Sequence, residues 1–237
     1  MNLTGTTALV TGANRGIGAA LVDAFLAAGA SRVYAATRNP DVVSKDPRVI
    51  PVGLDITDPE QVSYAASAAE DVRILVNNAG IALFQPLLES QSAAAVQREM
   101  EVNFFGTLAM SRAFAPVLGR NGGGAIVNIL SILSRVALPR AASYSASKAA
   151  AYSLTQSLRA ELASQGTLVI GVMPGFVDTD MAKGVTGPKL STEAVASAVM
   201  EEALRSGTED VYPGPAADIA ARLQQDPKSV ERSLASR

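Results

Sequence analysis

The stretch TGANRGIG, residues 11–18, directly follows the short apolar run TALV (7–10) and leads into a helical segment rich in alanine. Its glycines at positions 12, 16 and 18 let the backbone turn tightly and approach a pyrophosphate, to which the N-terminus of the next helix offers N–H donors and positive potential. The spacing is G-x-x-x-G-x-G rather than the common G-x-G-x-x-G, and a glycine-rich turn can also be a plain strand–helix connection. The stretch therefore indicates a nucleotide-binding turn, provided that the rest of the chain supplies its context.

Short apolar runs alternate with longer helical segments over the whole chain. Most of the runs are continuously apolar, which is typical of strands buried on both faces of a parallel sheet. We therefore predict an α/β fold, a doubly wound parallel sheet with helices on both faces, in a single domain over residues 1–237. The predicted strands are 7–10, 32–37, 49–54, 73–78, 125–130, 168–173 and 210–214, and the predicted helices are 16–28, 59–69, 92–118, 142–164 and 191–206.

Local signals mark two helix starts and leave the end of the chain open. Asp58 before Pro59, and Ser191 at the start of the last predicted helix, are expected to cap helices. The charged tail 226–237 is expected to be either a capping helix or a flexible end.

The composition excludes several classes of function. The net charge of -2 and the lack of Lys/Arg runs argue against a nucleic-acid surface, and no apolar run reaches the ~18 residues of a membrane span. The start of the chain lacks the basic region of a signal peptide, so we expect a cytoplasmic protein. The chain has no histidine and no cysteine, which removes the Ser-His-Asp triad and the usual transition-metal ligands, and we predict no metal site.

The second predicted strand ends in Thr37 and Arg38, where an acidic residue would bind a ribose 2′-hydroxyl. Arg15 lies within the glycine turn. Guanidinium groups suit a phosphate because they present a fixed bidentate fork, whereas a carboxylate would repel it. We therefore predict NADP(H) rather than NAD(H) as the cofactor; the alternative is that either arginine is simply solvated.

YSASK (144–148) is the candidate for proton transfer in a chain without histidine. Tyr144 and Lys148 are four residues apart, so on a helix their side chains share one face. A free tyrosine titrates near pH ~10, and an ammonium a few ångströms away lowers the pKa of the phenol by favouring the phenolate. The pair predicts an acid–base site, and the alternative is an exposed helix face.

Six motifs occur in the order seen in one family: TGANRGIG, NNAG (77–80), VNFFG, VNILS, YSASK and PGFVDTDM (174–181). From about Thr6 to Val211 the chain resembles short-chain dehydrogenases/reductases, and its Arg15 and Thr37–Arg38 resemble the NADPH-preferring carbonyl reductases of that family. The resemblance implies a single-domain Rossmann-type fold and an oxidoreductase that transfers a hydride between a nicotinamide and a carbonyl or alcohol group. It also implies a catalytic tetrad, which here is Asn103, Ser131, Tyr144 and Lys148.

The resemblance implies a role for each member of this tetrad. Tyr144 would donate a proton to the carbonyl oxygen, or accept one from an alcohol in the reverse direction. Lys148 would lower the pKa of Tyr144 and hold the hydroxyls of the nicotinamide ribose. Ser131 would orient and polarise the carbonyl, and Asn103 would anchor a water beside the lysine. Leu130 stands where many relatives have a small polar residue, which makes the surroundings of Ser131 more apolar.

Further residues are implied as cofactor contacts. Asp55 and Ile56 would bind the adenine, and Thr179 with the backbone of Val177 would hold the carboxamide. The residues at 77–80 would line the path of the adenosine ribose. The complete set implied is Gly12, Asn14, Arg15, Gly16, Ile17, Gly18, Thr37, Arg38, Asp55, Ile56, Asn77, Ala79, Gly80, Tyr144, Lys148, Pro174, Gly175, Val177 and Thr179.

The substrate pocket is expected beyond the carboxyl ends of the strands. Its apolar character and the short loop 180–190 predict an open pocket for bulky apolar ketones or aldehydes, with a 3-oxoacyl thioester as the alternative substrate. The family also implies a homodimer or homotetramer joined through the helices at 92–118 and 142–164, whose alanine-rich faces could equally pack within the chain. The residues predicted to line the pocket are Ser131, Leu133, Leu138, Tyr144, Phe176 and Met181.

Three other functions fit parts of the sequence. Ser145 and Lys148 match S-x-x-K, in which a lysine activates a serine nucleophile, but the companion S-D-N and K-T-G segments are missing. Asp55 and Asp58 could suggest metal or glycosidase chemistry, although helix capping explains Asp58. A non-catalytic NADP(H)-binding regulator on the same fold is the third alternative.

Overall fold

The computed structural model describes residues 1–89 and 92–235, and their strands form a single parallel sheet. These strands are β1 (Thr7–Thr11), β2 (Arg32–Thr37), β3 (Val49–Gly53), β4 (Ile74–Asn77), β5 (Gly124–Ile129), β6 (Thr167–Val172) and β7 (Asp210–Val211). They lie in the order β3-β2-β1-β4-β5-β6-β7, with every neighbouring pair parallel. The predicted strands are confirmed, except that β7 ends early, because Pro213 has no N–H to donate to a sheet ladder.

Helices connect the strands and cover both faces of the sheet. The helices of the described chain are α1 (Gly16–Ala27), α2 (Pro59–Ala68), α3 (Ser92–Met100), α4 (Thr107–Arg120), α5 (Ala142–Leu162), α6 (Thr192–Ala198), α7 (Ala216–Gln225) and α8 (Pro227–Ala235). The predicted helix 92–118 is one continuous helical segment in which the π-helical stretch Glu101–Gly106 joins α3 to α4. A second π-helical stretch, Val199–Arg205, continues α6.

Both predicted helix caps are confirmed by hydrogen bonds. The carboxylate of Asp58 accepts from the backbone N–H groups of Glu60 and Gln61 at 2.9 and 3.2 Å. The Ser191 hydroxyl accepts from the N–H of Ala194 at 3.1 Å. Each cap satisfies donors that have no partner within the helix, and so fixes where α2 and α6 begin.

Two hydrophobic cores lie on opposite faces of the sheet, because successive residues of a strand point to opposite faces. Phe25 of α1 and Val195 of α6 are completely buried on one face. Phe114 of α4 and Leu158 of α5 are buried on the other face, together with residues of α2. This three-layer arrangement confirms the predicted doubly wound, Rossmann-type fold.

From β1 the chain first builds the sheet to one side, with β2 and β3, and then to the other side, with β4 to β7. The strand order therefore reverses between β1 and β4. In doubly wound sheets, ligands bind at this switch point, in the crevice beyond the carboxyl ends of the strands. The glycine turn follows β1, and the NNAG segment begins at the end of β4. The fold therefore places these two motifs side by side at the expected crevice.

The last two helices are the part of the fold that the sequence prediction did not specify. No helix was predicted for α7, although Ala216, Ile219, Ala220 and Leu223 have helical apolar spacing. The tail forms α8, whose Val230 is 2% exposed and packs with residues of α7 and of the loop after β5. Residues 236 and 237 of the predicted tail lie outside the described residues.

Within the described chain, none of the helices combines the length and the apolar character that crossing a membrane requires.

Candidate active site

Tyr144, Lys148 and Ser131 meet at the carboxyl end of β5. Tyr144 and Lys148 lie one turn apart in α5 and are 8% and 6% exposed. The Lys148 Nζ is 5.8 Å from the centroid of the Tyr144 ring and donates to the carbonyl oxygen of Ile129 at 2.8 Å. Ser131, just after the strand, acts on the Tyr144 side chain. The structure thus brings three of the four predicted tetrad residues into one buried cluster.

Asn103, the fourth predicted residue, lies in the π-helical stretch and is 1% exposed. Its amide nitrogen donates to the Ile81 carbonyl and to the Ser147 hydroxyl, both at 2.9 Å, and its oxygen accepts from the Ile81 N–H at 2.9 Å. Both amide donors are therefore used within the protein. Asn103 therefore holds the segment that follows NNAG. A water anchored at this residue, as expected from the sequence, could bind only to an oxygen atom of Asn103, as a donor.

The expected lowering of the Tyr144 pKa by Lys148 is wrong for this geometry. Burial raises the pKa of Tyr144 well above its ordinary value, while the hydrogen bond from Ser131 opposes this change and the charge of Glu99 adds to it. Burial also lowers the pKa of Lys148 to about 8. Desolvation disfavours the charged form of each group and is the largest cause of both changes.

The glycine turn forms a tight cradle that is held by the NNAG segment. Gly12 and Gly16 have φ angles of 65° and 55°, a left-handed conformation that glycine adopts without strain. A Cβ on Gly12 would lie 3.0 Å from the Cα of Ala79. The Asn78 side chain donates to the carbonyl oxygens of Thr11 and Gly12 at 2.8 and 3.2 Å. These contacts fix the turn that leads into α1.

The start of α1 fits a bound anion. Its N-cap residue, Arg15, is extended and makes no side-chain cap within the described chain, so the first N–H groups of the helix are not satisfied by a cap. A Cβ on Gly16 would meet the methyl group of Thr179 at 3.1 Å, which shows that the turn and the 174–181 motif enclose a narrow space. This cradle suits the pyrophosphate of a dinucleotide.

Arg15 and Arg38 are both exposed. The Arg15 Nη1 forms an ion pair with Asp180 at 3.0 Å, and Lys183 pairs with the same carboxylate at 2.9 Å. These two cations lower the pKa of Asp180, Lys183 more than Arg15. Thr37 is buried at the end of β2 and accepts from the N–H of Asn39 at 3.5 Å.

Two predicted cofactor residues have structural partners of their own. Asp55 accepts from the backbone N–H and the hydroxyl of Thr57 at 3.0 and 2.7 Å, and the backbone bond is the main reason why its pKa is lowered. Asn77 is 4% exposed and donates to Ser111 and Asn128 beneath the sheet edge at 3.2 and 2.9 Å. The Asn77 side chain therefore faces the interior, and a place along the ribose path stays a prediction for the backbone of this residue.

The other predicted cofactor residues lie around the same crevice. Ile56 is buried, and a Cβ on Gly106 would come within 2.6 Å of its side chain. Gly80 is adjacent to the amine of Lys148, since a Cβ there would lie 3.5 Å from Nζ. The backbone oxygen of Pro174 accepts from the N–H of Ile132 at 2.9 Å, which ties the 174–181 motif to the residue after Ser131. The remaining members are Asn14, Ala79, Gly175 and Val177, which lie in the same loops, and Ile17 and Gly18, which lie in the first turn of α1.

The substrate side of Tyr144 is apolar. Leu133 and Leu138 pack in one cluster with the tyrosine, as predicted, whereas Phe176 and Met181 are 40% and 44% exposed at the mouth of the crevice. The sequence prediction included segment 81–85 in the pocket without singling out Phe84, and it missed the α7 side chains Ile219 and Leu223, which belong to the same cluster. Phe84 has a φ of 52°, and its ring lies edge-on to Tyr144 with 5.7 Å between centroids.

Two of the alternative functions do not fit the arrangement. Ser145 is 3% exposed, and its hydroxyl donates to the Ala141 carbonyl at 2.8 Å. The Lys148 amine donates to a different carbonyl, that of Ile129. Asp58 caps α2, and no cluster of three or more potential metal-ligating side chains occurs in residues 1–89 and 92–235. The serine nucleophile is therefore contradicted, and the carboxylate pair has a structural explanation.

A doubly wound parallel sheet with this glycine turn, and a buried tyrosine and amine at the same edge, define a Rossmann-type oxidoreductase. The family model described as short chain dehydrogenase matches residues 6–189. The chain belongs to the short-chain dehydrogenase family.

Individual relatives are similar over most of their length. A short chain dehydrogenase from Burkholderia cenocepacia J2315, solved in complex with NADP, is 50% identical with a TM-score of 0.95, and the match covers 99% of each chain. Carbonyl reductase (NADPH) 2 from Sus scrofa is 39% identical over 197 residues, 81% of this chain and 80% of the relative. Galactitol 2-dehydrogenase (L-tagatose-forming) from Cereibacter sphaeroides is 39% identical over 190 residues, 76% of this chain and 74% of the relative.

Proposed function

We propose that this chain is an NADPH-dependent carbonyl reductase that acts on apolar ketones or aldehydes. The observation that carries the proposal is the buried Tyr144 side chain, on which Ser131 acts and beside which Lys148 lies, at the edge of the sheet where the glycine turn opens. Reduction of a carbonyl needs a proton donor at the oxygen. Because burial raises the pKa of Tyr144, the phenol is protonated at neutral pH, which is the form that reduction requires.

The bound nicotinamide cofactor would supply the hydride. Tyr144 then gives its proton to the carbonyl oxygen, and the Ser131 hydroxyl holds that oxygen in place. Lys148 contributes positive potential beneath the tyrosine ring and lies within reach of a ribose next to Gly80. Asn103 acts by holding residue 81 rather than by contact with the reacting atoms.

The preference for NADPH rests on charge at the end of β2. Thr37, Arg38 and Asn39 offer no carboxylate to bind a 2′-hydroxyl or to repel a 2′-phosphate. Arg15 lies at the start of α1 with its guanidinium exposed. The NADP complex of the Burkholderia cenocepacia protein and the NADPH named for the Sus scrofa carbonyl reductase support the same preference.

The apolar wall around Tyr144 supports an apolar substrate. Phe84, Leu133 and Leu138 face the tyrosine, and α7 adds two aliphatic side chains. These groups offer few hydrogen bonds to a sugar or polyol. A 3-oxoacyl thioester, whose chain could leave through the mouth between Phe176 and Met181, remains the second candidate substrate.

A homodimer or homotetramer is part of the proposal. Phe105 is 56% exposed in the π-helical stretch between α3 and α4, a large apolar group on the helices through which association is expected. Light scattering coupled to size-exclusion chromatography would measure the mass, and replacing Phe105 with Glu should reduce it.

The test of the function follows oxidation of NADPH, with NADH in parallel, over aromatic ketones, α-dicarbonyls, aldehydes, 3-oxoacyl thioesters and a polyol and sugar series. Tyr144→Phe is the control, because it removes the proton and keeps the ring. Turnover of apolar carbonyls that is lost in this variant, while NADPH still binds, supports the reductase. Tight NADPH binding with no turnover in the wild type would favour the non-catalytic regulator, and selective turnover of sugars would contradict the apolar substrate.

A further inference from the structure

Glu99 of α3 is a buried carboxylate to which the proposed reaction assigns no role. It is 0% exposed, and its Oε1 accepts a hydrogen bond from the N–H of Leu83 at 2.6 Å. Its second oxygen, Oε2, is buried and has no hydrogen-bond partner among the described residues. Burying a carboxylate with half of its acceptors unused is costly, and an apolar side chain would fill the position at lower cost. Such a group is a candidate for function rather than for stability.

The Leu83 bond is one of five hydrogen bonds that hold segment 81–85, and these bonds fall on residues 81, 83 and 85. Asn103 binds the backbone of residue 81 through two hydrogen bonds of 2.9 Å. The Ser143 hydroxyl accepts from the N–H of residue 85 at 3.2 Å, and the Ser143 N–H donates to the carbonyl of residue 85 at 3.1 Å. Glu99 supplies the central attachment of this segment, one helical turn before Asn103.

The segment carries Phe84, whose backbone is in a left-handed conformation that a bulky residue rarely adopts. A conformation of this kind persists when the surroundings hold it in place. The bonds at residues 83 and 85 flank Phe84 and keep its ring edge-on to Tyr144. The hydrogen bond from Leu83 to Glu99 therefore helps to set the position of the Phe84 ring relative to Tyr144.

Glu99 is also the acidic group that acts on Tyr144. Glu99 from α3 and Ser131 from the end of β5 act on the phenol, while Lys148 from the next turn of α5 and the uncharged ring of Phe84 lie beside its ring. The carboxylate raises the pKa of Tyr144, and the Ser131 bond lowers it. In a site closed to water, a negative charge nearby disfavours a second negative charge on the phenol.

We propose that Glu99 is a positioning residue for the reductase reaction. Its carboxylate fixes segment 81–85 so that Phe84 shapes the pocket against Tyr144, and when ionised it also disfavours a second negative charge on the phenol. This inference rests on the proposed function, because it concerns the same proton donor.

Two substitutions separate the charge from the attachment. Glu99→Gln keeps an acceptor at the same reach and removes the charge. Glu99→Asp keeps the charge and is too short by one methylene to reach the N–H of Leu83. Alcohol oxidation with NADP⁺ is followed across pH for both variants, because this direction requires Tyr144 to lose its proton. NADPH affinity and melting temperature, measured alongside, show that each variant is folded.

The expected results differ between the two variants. In Glu99→Gln the pH midpoint of kcat/KM for oxidation falls by about one unit, because the phenolate no longer faces a negative charge. In Glu99→Asp the midpoint stays at the wild-type value, and KM for the carbonyl substrate rises about fivefold through the loss of one hydrogen bond. Phe84→Ala should raise KM as well, and adding it to Glu99→Asp should give less than the product of the two effects.

The contrary outcomes are distinct. An unchanged midpoint in Glu99→Gln overturns the electrostatic part of the inference, and independent effects of Glu99→Asp and Phe84→Ala overturn the positioning part. If Glu99→Gln does not fold, the same pH midpoint measured in Glu99→Met, which also removes the charge and fills the position with an apolar side chain, decides whether the charge acts on the phenol. A wild-type protein that turns over no carbonyl or alcohol would overturn the proposed function itself, whereas wild-type turnover with unaltered variants overturns only this inference.

Discussion

Lys148 shows how a single residue can serve the reaction at the expense of the fold. Its amine is buried, it lies over the ring of Tyr144, and its hydrogen bond goes to the neutral carbonyl of Ile129 rather than to a carboxylate. Burial lowers its pKa to about 8, which means that the folded protein holds the lysine proton less tightly than the unfolded chain does. The charged amine therefore opposes folding at neutral pH.

We expect Lys148→Met to be more stable than the wild type at pH 7, by about 1–2 kcal/mol after the loss of the Ile129 hydrogen bond. Below pH 8 the lysine is charged in both states, and the wild type bears the full burial penalty. As the pH rises from 8 to 10.5, the folded state loses this proton first, so wild-type stability recovers and the advantage of the variant disappears. Urea denaturation at pH 7 and pH 10 measures the difference.

Lys45→Met is the matched control, because Lys45 is exposed and its removal should change stability little at either pH. An advantage of Lys148→Met that persists undiminished at pH 10 would contradict the explanation. The same variant should lose turnover by about 10²-fold or more if Lys148 supports proton transfer.

The ion pair between Arg15 and Asp180 leads to a second prediction at the residue scale. Both side chains are largely exposed, and they join the glycine turn to the loop after Thr179. Asp180→Asn should release Arg15 for a 2′-phosphate and tighten NADPH binding about two- to fivefold, the range of a surface ion pair. NADH binding should not change. Titration of cofactor fluorescence measures both affinities, and equal tightening for the two cofactors would show that Arg15 does not recognise the phosphate.

At the scale of elements, α7 and α8 form an outer cover for the pocket. Ile219 and Leu223 of α7 reach the cluster around Tyr144 and also contact α8, where Val230 and Leu234 are buried against Val136. The C-terminal helices thus form a second layer behind the substrate wall. We expect these helices to affect the reaction through packing.

Val230→Ala should therefore loosen this cover. The cavity left by two methyl groups is expected to lower stability by about 1–2 kcal/mol. KM for a bulky apolar ketone should rise, because Leu138 loses part of its support, while NADPH affinity stays the same. Ser229→Ala, at an exposed position one residue away, is the control. A change in NADPH affinity without a change in KM for the ketone would contradict this role of α8.

At the scale of the whole molecule, the cofactor crevice joins segments that are distant in the sequence. The glycine turn follows β1, NNAG begins at the end of β4, and the 174–181 motif follows β6. Each segment contacts another, since Asn78 bonds the turn and Thr179 lies against Gly16. A dinucleotide that spans them should stabilise the entire fold.

We expect NADPH at about a hundredfold excess over its Kd to add roughly 2.7 kcal/mol of stability. For a chain of this size, that gain corresponds to a rise in melting temperature of about 5–10 °C. NADH at the same concentration should give less than half of this shift, because it has no 2′-phosphate for Arg15 and Arg38. Thermal denaturation with each cofactor tests the preference without any substrate, and an equal shift would contradict it.

The sequence predicted the sheet and the tetrad more completely than the pocket. Continuous apolar runs and caps such as Asp58 are local signals, so strands and helix starts could be located to within a residue or two. The direction of the Asn77 side chain and the partner of Arg15 depend on contacts with Asn128 and Asp180, which lie far away in the chain. The effect of burial on Tyr144 and Lys148 depends on the whole site, and spacing alone indicated the opposite change in the tyrosine.

The alternate attachment of segment 81–85 has an evolutionary consequence. Its odd-numbered residues are anchored through their backbone to Asn103, Glu99 and Ser143, while Ala82 and Phe84 face the pocket. Mutation at the even positions can change the side chains that a substrate meets without disturbing the anchors, which any residue with a backbone N–H can use. Descendants of one ancestral enzyme could therefore diverge in substrate choice while they inherit an unaltered catalytic frame.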